Sequence, residues 1–178
     1  MAAATKSSSS KTKSAKPRRT RRTGRRDPLA VALLKKDHRE VEGMFDEYEQ
    51  LESEAEKLAL FNKIALALKV HTQIEEEILY PEERGEVDDD MLDEAYVEHD
   101  GAKKLIAEIE AMKPSDEFYD AKVKVLGEYI KHHVKEEEQP GGLFSQAKKG
   151  DEDLEAMGER LKARKEELMA QMGGKPVN

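Results

Sequence analysis

The sequence predicts an all-α protein: an antiparallel up-down four-helix bundle with an extra C-terminal helix and a disordered basic N-terminal tail. Three observations predict this class. Apolar residues recur at steps of three and four along four segments of roughly 20 residues, and short loops join these segments. The chain of 178 residues is 39% charged, 5% aromatic and free of tryptophan, which suits the small aliphatic core of a helical bundle.

Composition limits the chemistry of any site. The chain contains no cysteine, which excludes disulfides, thiolate metal ligands, iron–sulfur clusters and cysteine nucleophiles. Any metal ion must therefore be held by nitrogen and oxygen atoms. The longest apolar stretch, at residues 58–68, is interrupted by Asn62 and Lys63 and is shorter than the roughly 20 residues that a membrane span needs. We expect a soluble, cytoplasmic protein without a transmembrane segment.

Charge separates a basic tail from an acidic body. Residues 1–26 hold ten Lys or Arg and no acidic residue, whereas the rest holds 21 basic and 39 acidic residues, so the tail carries +10 and the body −18. The tail has almost nothing to bury, and we expect it to be disordered. It could bind nucleic acid or another anionic surface without sequence preference, act as a solubilising arm, or serve as an organelle transit peptide.

The first two helices have start and stop signals. Asp27-Pro28 predicts the start of the first helix, with the aspartate as N-cap and the proline in the first turn. The apolar stripe of this helix turns His38 inward. Ser53 and Glu56 predict a capping box for the second helix, which we expect to stop at Pro81.

The later elements follow the same pattern. Ser115 or Asp116 is expected to cap the fourth helix, which should end before Pro140 and so close a bundle that spans residues 27–140. Residues 141–178 form a separate region, with a short tether near Leu143, Phe144 and Ala147 and then an amphipathic helix over residues 151–172. The narrow apolar stripe of that helix suits packing on the flank of the bundle or against a partner.

Two His-x-x-x-Glu pairs point to a metal site. His71 precedes Glu75 by four residues and His133 precedes Glu137 by four, so each pair shares one helical face, and both faces are apolar. Four of the five histidines occupy core-facing positions on four successive helices: His38, His71, His99 and His133. The fifth, His132, lies one position off the stripe, and we expect it to be exposed or to support a ligand.

Burial of these groups needs a partner. A buried imidazole leaves a donor and an acceptor to satisfy, and a buried ionised carboxylate costs several kcal/mol. A cation resolves both problems, and imidazole with carboxylate suits iron, manganese or zinc. Glu75 and Glu137, each one turn from its own histidine, are well placed to bridge two metal ions.

These motifs resemble a known family. From about Leu29 to Glu138 the chain is similar to the hemerythrin-like (HHE) cation-binding domain, and the similarity rests on these motifs: Lys36-Asp37-His38-Arg39-Glu40, Val70-His71 through Glu75-Glu76-Glu77 to Tyr80-Pro81, Glu98-His99, and His132-His133 through Glu136-Glu137-Glu138. The resemblance implies a four-helix bundle with two non-haem iron ions, joined by an oxo or hydroxo bridge, that bind or react with dioxygen. It also implies six ligands: His38, His71, Glu75, His99, His133 and Glu137, with both glutamates bridging.

The chain departs from the oxygen-carrying members of that family at two points. They place a second histidine one turn after the histidine of the third helix, where this chain has Lys103. They also separate the last histidine from an aspartate by five residues, and at that spacing from His133 this chain has Glu138 as an alternative to Glu137. His132 with Glu136 is a further alternative to the pair of His133 and Glu137. One iron should therefore have an open position, or one filled by Lys103, water or a carboxylate, and an open position favours exchangeable ligands and redox reactivity.

The expected function is binding of dioxygen or a related small molecule, such as nitric oxide or peroxide, for sensing or handling. The alternatives are a di-iron redox enzyme (peroxidase, ferroxidase or nitric oxide reductase) and a nucleic-acid-associated protein that acts through its tail. The remaining glutamates near the motifs, namely Glu76, Glu77, Glu136 and Glu138, are expected to form a solvated acidic face. One tyrosine could hydrogen-bond at the site, but the spacing does not identify it: the candidates are Tyr48, Tyr80, Tyr96 and Tyr129.

Overall fold

Four long antiparallel helices form the bundle that the sequence predicts. The computed structural model describes residues 26–173, so the predicted disordered tail, apart from Arg26, and the last five residues lie outside it. The elements are α1 (Leu29–Tyr48), α2 (Glu54–Ile74), a π-helical segment (Glu75–Leu79), α3 (Tyr80–Glu83), α4 (Asp89–Glu110), α5 (Tyr119–Glu138), α6 (Leu143–Ala147) and α7 (Leu154–Gly173). No helix in the described range is long and apolar enough to cross a membrane.

The predicted helix caps are correct for α2 and wrong for α1. The Ser53 hydroxyl accepts a hydrogen bond from the backbone N–H of Glu56, as expected for an N-cap. The residue before α1 is Pro28, in an extended conformation, and no side chain caps this helix. Asp27 lies one residue too far out to cap α1, and its carboxylate instead pairs with Lys35 at 2.8 Å and Lys148 at 2.9 Å.

The second helix does not stop at Pro81. The backbone N–H of Tyr80 bonds to the carbonyl of Glu75, five residues back, which is the hydrogen-bond pattern of a π-helix. This wider turn accommodates the proline ring and its missing N–H, and the helical path continues through α3 until Arg84 becomes extended. The π-helical segment begins at a predicted metal ligand, so it determines which side chains reach the interior there.

The predicted caps of α5 are also wrong. The residue before α5 is Phe118, in the left-handed region with φ 70°, and it makes no side-chain cap. Asp116 instead closes the turn that follows α4, because its carboxylate accepts the backbone N–H of Lys113 at 2.8 Å. Ser115 does not cap the helix either, since α5 begins four residues beyond it at Tyr119.

The segment predicted as a tether packs in the core. In α6, Leu143, Phe144 and Ala147 are buried, and the Phe144 ring stacks on the His38 imidazole with centroids 5.8 Å apart and an interplanar angle of 11°. The final helix, α7, packs on the flank of the bundle against α1 and α2. Its predicted stripe is buried there: Leu154, Met157, Leu161 and Leu168.

The apolar core has two parts. One cluster joins the start of α1, the end of α2, α4, α6 and α7, and the other joins the end of α1, the middle of α2, α4 and α5. The inward histidines lie between them: His38 falls between Leu34 and Val41, and His99 between Ala95 and Ala102. A polar centre therefore interrupts the core at mid-height, and the apolar clusters on both sides hold its walls in place.

Candidate metal centre

The four inward histidines meet in two pairs. All are buried, with at most 7% of the residue exposed. Nε2 of His38 lies 3.1 Å from Nε2 of His71, and Nε2 of His99 lies 3.2 Å from Nε2 of His133. Each long helix of the bundle contributes one of these imidazoles, so the site exists only when α1, α2, α4 and α5 pack together.

Two glutamates join the pairs. Glu75 places Oε2 3.2 Å from Nε2 of His71 and 3.5 Å from Nε2 of His99. Glu137 places Oε2 3.3 Å from Nε2 of His38 and, on its other side, Oε1 3.7 Å from Nε2 of His133. Both carboxylates therefore reach across from one histidine pair to the other.

The four shorter separations match those of ligands that share an ion, and the other two, 3.5 and 3.7 Å, are slightly longer. Two ligands about 2.1 Å from one metal ion lie roughly 3.0–3.4 Å apart in octahedral or tetrahedral geometry. The donor atoms fall into two groups, each within 4.8 Å: one of His38, His71, Glu75 and Glu137, and one of Glu75, His99 and His133. The structure thus brings together all six residues singled out in the sequence, and His132 lies outside both groups.

Three of the four imidazoles are oriented by glutamates from outside the site. The hydrogen bonds run from Nδ1 of His38 to Glu138 (2.8 Å), from Nδ1 of His99 to Glu76 (3.0 Å) and from Nδ1 of His133 to Glu98 (2.8 Å). An ionised carboxylate only accepts, so Nδ1 carries a proton in each case and Nε2 faces the interior. This is the arrangement that metal-binding histidines usually have.

The fourth imidazole is held more loosely. Nδ1 of His71 lies 3.6 Å from Oδ2 of Asp37, too far for a hydrogen bond, and neither atom has another partner among residues 26–173. The other oxygen of Asp37 accepts a hydrogen bond from Lys165 of α7. Lys165 on the C-terminal helix thus places a positive charge against Asp37, next to His71.

The prediction of a solvated acidic face is wrong for Glu76 and Glu138. Both are mostly covered and hydrogen-bond site histidines from outside, and each is paired with a cation. Arg39 binds Glu138, and the Lys103 ammonium lies 2.5 and 2.6 Å from the two oxygens of Glu76. Lys103 therefore neutralises an outer carboxylate.

One tyrosine reaches the centre, and it is Tyr80. Its hydroxyl lies 3.2 Å from Oε1 of Glu137, 3.3 Å from Nε2 of His99 and 3.4 Å from Oε2 of Glu75, and the residue is fully buried. Residues five apart point in different directions on an α-helix, but the π-helical segment brings Tyr80 round to the same side as Glu75. The proline inside the helix was the one sequence signal of this irregularity.

Burial and neighbouring charges shift the pKa values of the site residues in different directions. Burial lowers the pKa of His38, but the nearby carboxylate of Glu137 and the hydrogen-bonded carboxylate of Glu138 outweigh burial and raise the pKa to about 9. Burial lowers the pKa of His71 to about 4. Burial, reinforced by the charge of Glu137, holds the pKa of Glu75 well above its usual value, whereas His133 and His38 overcome burial and lower the pKa of Glu137 to about 2.

The donors fit bound cations. Oε1 of Glu75 and Oε2 of Glu137 are buried and lack a hydrogen-bond partner in the described part of the chain. Such atoms are costly unless something satisfies them, and a cation between the histidine pairs would do so. A cavity of about 20 Å³ borders all four imidazoles and is otherwise walled mainly by apolar residues, including Val41, Leu68 and Ile130. This volume suits one water-sized molecule.

Comparisons with known proteins agree with the helical-bundle fold. A crystal structure of a hemerythrin HHE cation-binding domain-containing protein from Mycobacterium kansasii aligns with a TM-score of 0.67 and 23% identity, over 83% of this chain and 95% of that one. A protein of Nostoc sp. strain PCC 7120 named DNA nickase is 27% identical over 157 residues. That match takes in 87% of this chain but only 44% of the Nostoc protein.

The family comparison covers the bundle itself. The family described as the Hemerythrin HHE cation binding domain matches residues 29–140, which run from the first residue of α1 to just past the end of α5. All six predicted ligands fall within the match. The chain therefore belongs to the hemerythrin HHE cation-binding domain family.

Proposed function

We propose that the buried centre holds two iron ions and binds dioxygen or a related small molecule, such as nitric oxide or peroxide, for sensing or handling. One observation carries the proposal: two pairs of imidazole nitrogens, each about one ligand–ligand separation apart, are linked by two carboxylates. The six ligands in this proposal are His38, His71, Glu75, His99, His133 and Glu137.

The donor set favours iron. Imidazole and carboxylate without thiolate suit iron, manganese or zinc, and bundle cores commonly hold pairs of such ions through bridging glutamates. Bound iron would supply the reversible electron transfer that dioxygen, nitric oxide and peroxide require. The oxo or hydroxo bridge between the irons is part of the proposal and follows from the family resemblance.

The protein's own residues orient the centre and restrict access to it. Glu138, Glu76 and Glu98 fix the imidazole rings through Nδ1, and the Tyr80 hydroxyl can donate to Oε1 of Glu137. Each half of the centre has two imidazoles and shares the two glutamates, which would leave open positions on each bound ion. An exchangeable small molecule would bind at such a position, with the cavity among the four histidines as its space.

Metal analysis with optical spectra tests the proposal. The wild type is expressed with iron, reduced anaerobically and exposed to dioxygen, beside His71→Ala and His132→Ala. We expect about two irons per chain and near-ultraviolet absorption typical of bridged iron in the wild type, and loss of both in His71→Ala. His132→Ala is the matched control, since it also removes a histidine but lies outside both buried donor groups, and after full loading it should keep both irons.

The result that would overturn the proposal is a folded, metal-free wild type after iron-supplemented expression. Equal iron content in His71→Ala and the wild type would overturn the assignment of the ligands. Tight binding of two zinc or manganese ions in place of iron would retain the ligands but overturn the choice of metal.

A redox enzyme is the second candidate, and the small number of protein ligands favours it. Two imidazoles and two shared glutamates would leave a position on each ion for a reacting molecule. Steady turnover of hydrogen peroxide or ferrous iron by the iron-loaded protein, lost in Glu75→Ala, would establish peroxidase or ferroxidase activity. Stoichiometric, reversible binding without turnover would favour the binding protein.

Action on nucleic acid is the third candidate. The relative named DNA nickase and the +10 charge of residues 1–26 support it. Because this chain covers only 44% of that relative's length, the activity in the relative's name is here a proposal to be tested. Plasmid nicking and DNA binding are compared for the full chain and for a protein lacking residues 1–26. Binding that is lost on deletion and weakens steeply with salt would support this role, and unchanged binding would exclude the tail as its cause.

A further inference from the structure

A third group of metal-binding side chains lies on the surface of α4 and α5. Nε2 of His132 is 3.5 Å from Oε1 of Glu98 and 3.2 Å from Oε1 of Glu136. The three donor atoms lie within 4.8 Å of one another. His132 has 60% of its side chain exposed, whereas Glu98 has 15% and Glu136 has 30%. One nitrogen and two oxygens thus converge at a point that solvent can reach.

The two separations from His132 are close to those of ligands around one ion, and the two carboxylate oxygens lie within 4.8 Å of each other. As in the buried centre, donors about 2.1 Å from a common ion lie roughly 3.0–3.4 Å apart. Imidazole with two carboxylates suits divalent transition metals. The backbone fixes part of the geometry, because His132 and Glu136 are four residues apart on α5 and share one face of that helix.

A cavity connects this surface group to the buried centre. It has a volume of about 130 Å³, and its walls include both Glu98 and Glu136 of the surface group and both His133 and Glu137 of the centre. Glu94 and Gln139, which also line it, are exposed, so the cavity opens at the surface. The buried His133 and Glu137, two ligands of the proposed centre, form its inner wall.

Glu98 touches both sites. Its Oε2 accepts the hydrogen bond from Nδ1 of the buried His133 at 2.8 Å, while Oε1 faces His132. An ion bound to Oε1 of Glu98 would therefore be linked to the buried ligand His133 through the Glu98 carboxylate. Carboxylates of Glu94, Glu98 and Glu136 along one opening also raise the local concentration of cations.

We infer that Glu98, His132 and Glu136 form a surface site for a divalent transition-metal ion, and that this site loads the buried centre through the adjoining cavity. The inference rests on the proposed function, because a loading site needs a centre to fill. The surface group binds the ion weakly and reversibly, with solvent water completing its coordination. The buried donors then bind the ion more tightly.

Uptake of Co²⁺ by metal-free protein tests the inference, since bound cobalt is visible by its absorption. Wild type, His132→Ala and Glu136→Gln are compared with Glu128→Gln, an exposed charge change on α5 that does not line this cavity. We expect two tight ions and one weak ion in the wild type and in Glu128→Gln. His132→Ala and Glu136→Gln should keep the two tight ions, lose the weak one and load roughly tenfold more slowly in stopped-flow measurements.

The outcomes separate the two proposals. If His132→Ala takes up two tight ions at the wild-type rate, the loading role is overturned while the buried centre stands. If the variant keeps the third, weak ion, the assignment of the surface ligands is overturned. If the wild type takes up no tight ion, the proposed function fails and the loading role fails with it. A circular dichroism spectrum like that of the wild type shows that a slow variant is folded.

Discussion

Nδ1 of His38 donates a hydrogen bond to Oε1 of Glu138 across 2.8 Å, although the two residues are 100 positions apart in the sequence. Arg39 holds the same glutamate from the solvent side. The contact sets the direction in which the His38 ring faces, because with Nδ1 bonded to Glu138 the Nε2 atom points at the buried centre. Because Glu138 is not itself a proposed ligand, a substitution there tests the effect of this hydrogen bond on metal binding while all six ligands remain.

Glu138→Gln should weaken metal binding without removing a ligand. The amide can still accept a hydrogen bond, but it lacks the charge that makes the imidazole a stronger donor to the metal. Loss of such an outer carboxylate typically costs tenfold or more in affinity, and we expect about tenfold. Competition with a chelator of known affinity measures the change, with Glu128→Gln as the control for a surface charge. Affinity equal to that of the wild type would show that this contact does not support the centre.

Metal uptake should release protons. Near pH 7 the metal-free protein should hold a proton on His38, whose pKa is about 9, and the raised pKa values of Glu75 and His133 favour further protons on those two groups. Glu137 and His71, with pKa values of about 2 and about 4, are already deprotonated. Ligation requires unprotonated donors, so binding should release at least one proton and the affinity should fall as the pH falls.

Calorimetry in buffers with different heats of ionisation counts these protons. The affinity should also be measured from about pH 8 down to about pH 6, where each released proton weakens binding by about tenfold per unit of pH. An affinity that stays constant over this range, with no proton release, would contradict the arrangement of charges described for the metal-free centre.

Tyr80→Phe should change the redox behaviour of the centre and leave its iron content intact. The hydroxyl lies within hydrogen-bonding distance of Oε1 of Glu137, and donation to this carboxylate reduces the electron density that it gives to the metal. A hydrogen bond worth about 1 kcal/mol corresponds to roughly 40 mV for one electron. We expect a reduction potential lower by about this amount and faster oxidation of the reduced protein in air.

The control for this experiment is Tyr129→Phe, because Tyr129 is about half exposed on α5 and does not contact the centre. A potential that shifts equally in both variants would argue against a specific role of Tyr80. Loss of iron from Tyr80→Phe would instead show that the phenol helps to hold the metal.

Helical periodicity was sufficient to predict the six inward residues. Spacing of four residues determines that His71 and Glu75 share a face, and an apolar stripe determines that the face is buried. The π-helical segment was not predicted, because Pro81 is usually a helix stop and only the hydrogen bond from the Tyr80 N–H to the Glu75 carbonyl shows otherwise. The contact of Tyr80 with the centre depends on that irregularity.

The outer carboxylates could not be predicted from the sequence. Glu136, Glu137 and Glu138 are adjacent and chemically identical, yet Glu137 enters the centre, Glu138 orients His38, and Glu136 pairs with His132. Which of them reaches which histidine depends on the rotation of α5 against α1 and α4, and this is set by packing between distant segments. Local sequence patterns do not specify this rotation of α5.

Gly158→Ala should destabilise the fold. A Cβ added at Gly158 would lie 2.5 Å from the backbone nitrogen of Ala30 and 2.6 Å from Leu29, because α7 crosses the start of α1 at this point. Overpacking of this kind typically costs about 1–3 kcal/mol of unfolding free energy. Gly43→Ala is the matched control, since it lies in α1 with nothing within 4 Å and should stabilise by up to about 1 kcal/mol. Urea unfolding of both variants measures the difference. Equal stability would show that α7 does not approach α1 this closely.

Glu83→Gln should stabilise the protein at alkaline pH. Glu83 is fully buried, neither of its oxygens has a hydrogen-bond partner in the described range, and burial with the charges of Glu152, Glu86 and Glu82 raises its pKa to about 7. In the unfolded chain this carboxyl ionises with the ordinary glutamate pKa of about 4.5. Stability should therefore fall as the pH rises from about 4.5 to about 7 and then level off, because above about pH 7 the folded state is ionised as well.

Removing the charge of Glu83 should raise the unfolding free energy by roughly 1–3 kcal/mol at about pH 8 and change it little at about pH 4.5. Thermal unfolding at both pH values checks this, with the exposed Glu52→Gln as control. A gain that is the same at both pH values would show that the carboxyl of Glu83 does not titrate between them.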